Sequence, residues 1–174
     1  MSNIAILRNL LRAVILLAFQ VLVLRQINLG GADFNYINIF LYPVFLMLLP
    51  ISTPVWLTMV IGFFYGFCID IFSNTIGIHT AACVLSTYIR MPLLQFLEPQ
   101  GGYKQGVSPT RRRMGFAWFL RYASLFMFLH VFTFFCVEVF TPLYMGKILM
   151  YTLPSFVISF IFVMLLSFIV DPVE

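Results

Sequence analysis

The sequence predicts an all-α membrane protein, a single bundle of six transmembrane helices, and three observations carry that expectation. The first is composition: 62% of the 174 residues are hydrophobic and 9% charged, against about 25% charged in an ordinary soluble domain. A chain this short cannot hide that much apolar surface inside itself, whereas lipid accepts it on the outside. The second is punctuation, because the apolar runs alternate with stretches bearing Gly, Pro and Asn that break helices. The third is the sidedness of the cations: with six spans, eight of the ten Lys and Arg residues fall on one side, which is then the cytoplasmic one and holds both termini. Residues 1–174 read as one polytopic domain.

The first span covers about residues 10–27. Arg8 and Arg12 ahead of an apolar run resemble a secretory signal, but Arg25 and Gln26 stand where a cleavage site needs small residues. Its apolar centre falls short of the ~20 residues that a helix rising 1.5 Å per residue needs, so Arg12 and Arg25 are expected to snorkel. Gln20, polar in mid-span, is expected to face other helices. The turn formers Asn28, Gly30, Gly31 and Asp33 end the helix.

The second span, 37–49, is brief and contains Pro43, which is expected to kink it. It counts as a span because without it Arg111, Arg112 and Arg113 would lie opposite the N-terminus and the charge bias would collapse. PISTP, residues 50–54, reads as a tight turn with Thr53 as N-cap and Pro54 opening the next helix. The third span, 55–72, has Trp56 as an interfacial anchor, and the fourth runs over 76–97. Residues 98–115, EPQGGYKQGVSPTRRRMG, read as a cytoplasmic surface loop. Its cluster Arg111, Arg112 and Arg113 suits topology and attraction to anionic headgroups, in preference to nucleic acid or a regulatory lipid. The fifth and sixth spans are 116–139 and 148–170, followed by the acidic Asp171 and Glu174.

Chemistry is sparse along the chain. There is no nucleophile–base–orienter set, zinc-protease motif or phosphate-binding glycine loop, and no cofactor site is read. Cys68, Cys83 and Cys136 are odd in number and lack CxxC spacing, which argues against a disulfide framework or a zinc site. His130 and Glu138 diverge by about 80° around a helix, a poor metal pair. His79, Cys83, Ser86 and Arg90 share an arc of about 60°. That face is either a seam for a partner or cavity, or an internal packing face from which Arg90 snorkels to the inner interface. Gly62 and Gly66 form a GxxxG that admits a close neighbouring helix. Asp70, one turn further on, either pairs with His79 across the 73–77 turn or takes up exposed amides at the start of the fourth span.

The run GFFYGFCIDIFSNTIGIHTAACVLSTYIR resembles the signature of the MreD family of rod-shape membrane proteins, through Gly62, Gly66, Asp70, Gly77 and His79. The flanking FLYPVFLMLLPISTPVW and FLEPQGGY extend the similarity over residues 40–103. The resemblance implies a six-helix bundle similar to the substrate-binding subunits of energy-coupling-factor transporters, in the bacterial inner membrane and without enzyme activity. It also implies association with MreC, alongside RodA and a transpeptidase penicillin-binding protein, in support of lateral peptidoglycan synthesis. The competing reading is a substrate-binding subunit of a vitamin-type transporter, although the outer linkers 28–35 and 141–147 offer few polar groups for a pocket. A proton-coupled transporter or membrane enzyme would rest on Asp70, His79 and His130 alone.

Overall fold

A computed structural model of the chain describes residues 3–24, 37–104 and 106–169. Five long helices dominate it: α1 (Asn3–Leu22), α3 (Val55–Ser73), α4 (Ile78–Phe96), α6 (Phe116–Val139) and α7 (Met145–Ile169). Two short ones, α2 (Pro43–Met47) and α5 (Arg111–Met114), lie between them, and every regular element among the described residues is helical. Three helices, Val55–Ser73, Phe116–Val139 and Met145–Phe168, are long and apolar enough to cross a membrane by length and composition. The outward faces are oily, with Leu10, Phe64, Ile71, Leu153 and Leu165 all more than half exposed, while Gln20, Asp70, His79, Arg90 and His130 are buried. Polar groups inside and hydrocarbon outside are consistent with a membrane protein.

The element boundaries follow local chemistry. α6 occupies 116–139 as expected and opens after Gly115, whose φ of +86° favours glycine. α3 begins at Val55 with Pro54, not Thr53, as the cap, and that cap makes no side-chain hydrogen bond. α4 starts at Ile78, two residues later than expected, because Gly77 is left-handed with φ 77°. α7 starts at Met145, three residues before the expected start, after a 3₁₀ turn at Pro142–Tyr144. α1 lies further toward the N-terminus than the expected span and ends at Leu22. Arg25, the turn formers 28–33 and the acidic pair Asp171 and Glu174 lie outside the described residues.

Segment 37–49 corrects the expectation of six helical spans. Only Pro43–Met47 is α-helical, five residues that rise about 7 Å, far less than the ~30 Å of a bilayer core. Pro43 opens this short helix instead of kinking a long one. The segment runs down the middle of the molecule, and residues 39–51 are buried without exception. A non-helical backbone has no partners of its own, so it survives in a dry interior only where neighbours supply them. Gln20 on α1 does so from both ends of its amide, donating to Ile39 O at 2.7 Å and accepting the Leu41 N–H at 2.9 Å. On α7, Ser155 Oγ accepts the Asn38 N–H at 3.1 Å and Ser159 Oγ accepts the Phe40 N–H at 2.8 Å. Lower down, Tyr122 on α6 donates to Met47 O at 2.9 Å. The five long helices stand around this segment, α3 contributing Tyr65, whose ring packs on Tyr42 and Phe45.

The 98–115 stretch is also more structured than a surface loop. Residues 107–110 are buried, and Val107 O accepts the Ile51 N–H at 3.0 Å, which ties the stretch to the 50–54 turn. Tyr103 and Trp118 finish the C-terminal turn of α4 by donating to Leu94 O and Leu97 O at 2.7 and 2.6 Å. Burial, with Glu98 nearby, pushes the Tyr103 phenol up to about 12. Arg111 lies 4.3 Å above the Phe168 ring, joining α5 to the last turn of α7.

Candidate functional site

The 62–79 stretch forms the α3–α4 hairpin, and its glycines show why the two helices approach so closely. A Cβ built on Gly66 would lie 2.6 Å from Thr80 Cα and 2.8 Å from His79 O. At Gly62 it would meet Thr87 Oγ1 at 2.9 Å and Cys83 O at 3.1 Å. The expected GxxxG contact is therefore made within the chain, between α3 and α4. Asn74 ends α3 in the left-handed region at φ 58° and returns its N–H to Asp70 O.

Gly77 has no side chain with which to cap α4, and Asp70 on the preceding helix does that work. Its Oδ1 accepts the His79 N–H at 3.0 Å and its Oδ2 the Thr80 N–H at 2.9 Å. These are the second and third residues of α4, whose amides have no partner within the helix. The hydroxyls of Thr75 and Thr80 add donations at 2.5 and 2.6 Å. Every partner donates, which matches the acceptor-only chemistry of an ionised carboxylate at a helix N-terminus. Of the two roles open to Asp70, the geometry selects the capping of amides: it engages His79 through the backbone, while the ring turns inward.

That ring belongs to a buried chain of four side chains. Tyr42 Oη lies 3.0 Å from His79 Nδ1 and 2.7 Å from His130 Nε2, and His130 Nδ1 lies 2.8 Å from Ser86 Oγ. The Ser86 hydroxyl proton goes to Ala82 O at 2.6 Å, which orients the whole series. With that proton committed, His130 Nδ1–H donates to Ser86 Oγ, Tyr42 O–H donates to His130 Nε2, and His79 Nδ1–H donates to Tyr42 Oη. In this order each imidazole carries a proton on Nδ1, and His130 Nε2 is an acceptor. Phe40 and Phe134 enclose the rings, with the Phe134 centroid 4.9 Å from that of His79.

The polar arc of α4 thus faces inward as a whole: His79, Cys83, Ser86 and Arg90 are all buried. Arg90 does not snorkel. At 1% exposure it donates through Nε to Met47 O at 3.5 Å and through a terminal nitrogen to Leu49 O. The arginine supplies the carbonyls at the end of α2, which a helix of one turn cannot satisfy itself. His130 and Glu138 diverge as the spacing requires, one facing Tyr42 and the other exposed. Arg111 is half-buried, and Arg112 and Arg113 are exposed at the end of the bundle where Val107 meets Ile51. Among the described residues, no three His, Cys, Asp or Glu side chains converge as metal ligands.

Tyr42 and His130 complete the site, and sequence spacing did not link them to His79. The one signal available was the placement of single polar groups, Gln20, Tyr42 and His130, within otherwise apolar runs. The arrangement can hold an irregular segment and two helices in one register. Compared with protein-family models, curated proteins and solved structures, the chain matches none.

Proposed function

We propose that this chain is a non-catalytic membrane scaffold of the MreD type, supporting lateral peptidoglycan synthesis and cell shape through association with MreC, with RodA and a transpeptidase penicillin-binding protein in the same complex. In this reading the chain crosses the inner membrane six times, with both termini cytoplasmic. Five crossings are helices, and the second is made by the irregular segment 37–49. The observation that supports it is the use made of the signature residues. Gly62 and Gly66 seat α3 on α4, Asp70 caps α4, and His79 anchors the central segment through Tyr42. The groups that would otherwise suggest chemistry are engaged in holding the bundle together, and a rigid bundle suits a scaffold.

Depletion in a rod-shaped host tests this reading. Widened or rounded cells, together with MreC recovered on the tagged chain, are expected; normal width and no MreC recovery would overturn it. A small molecule co-purifying in native mass spectrometry would instead favour the vitamin-type substrate-binding subunit. Substrate flux lost in Asp70→Asn, with cell shape intact, would favour a proton-coupled transporter.

A further inference from the structure

We draw no further inference here: the strongest candidate, the open groove along α3 and α4 lined by Phe63, Phe67, Ile71 and Val84 with Asp70 at one end, is an apolar face whose carboxylate is already engaged by Thr75, His79 and Thr80, and nothing in the structure shows what covers it.

Discussion

Asp70 and Tyr42 each serve several partners, so their removal strands groups in a dry interior. Tyr42→Phe leaves the His79 Nδ1–H and the His130 Nε2 acceptor unpaired, each at a cost of about 1–3 kcal/mol. Ser86→Ala strands only the His130 Nδ1–H, because Ala82 O keeps its helical bond. Unfolding titrations in mild detergent should therefore show Tyr42→Phe losing roughly twice as much stability as Ser86→Ala; equal losses would contradict the assigned proton order. Asp70→Asn replaces an acceptor by a donor, and on either oxygen that donor faces an α4 amide N–H and a threonine hydroxyl. Hydrogen bonds to a charged group are worth about 1.5–3 kcal/mol each, so this variant should lose far more stability than Glu138→Gln, which changes an exposed side chain. Comparable melting of the two would remove the capping role.

The α3–α4 pair and the central segment depend on each other. Adding a methyl at Gly66 pushes against the α4 backbone, which cannot swing aside as a side chain can, and carries the His79 and Thr80 amides away from Asp70. Overpacking of this kind costs about 1–3 kcal/mol before any lost hydrogen bonds are counted. Gly62→Ala meets first the Thr87 hydroxyl, a group with a rotamer to yield. Thermal unfolding should rank Gly66→Ala well below Gly62→Ala, and the reverse order would mean that the helices are not held at Thr80. Segment 37–49 shows the same dependence: without Gln20, Ser155, Ser159, Arg90 and Tyr122 its amides and carbonyls would have to be satisfied by a helix of its own.

Across the molecule, one end carries the 50–54 turn, the Val107 backbone and the Arg111–Phe168 contact, and the other carries Gly77 and Asn38. Arg111, Arg112 and Arg113 lie at the first end, which in the proposed reading is the cytoplasmic face. In a background lacking Cys68 and Cys136 but keeping the buried Cys83, Lys104→Cys should react with a membrane-impermeant thiol reagent only from the cytoplasmic side. Lys147→Cys should react only from the other side. Labelling of Lys104→Cys from outside would invert the molecule.

What could be read from the chain were the features governed by neighbours within a turn or two. The apolar lengths of α3 and α6, the single polar arc of α4 and the closeness implied by Gly62 and Gly66 all follow from helical periodicity, which needs no knowledge of the rest of the fold. The route of residues 37–49 was not readable, because it is decided by groups far away in sequence: the Phe40 amide meets Ser159 across 119 positions and Tyr42 meets His130 across 88. Asp70 shows both cases at once. Its place on the packed face of α3 was visible from spacing, but its engagement of the α4 amides, and not the His79 ring, required a fold that turns that ring toward Tyr42. An apolar run states only that a segment avoids water. Whether its backbone bonds to itself or to its neighbours depends on which polar side chains the folded bundle delivers to it.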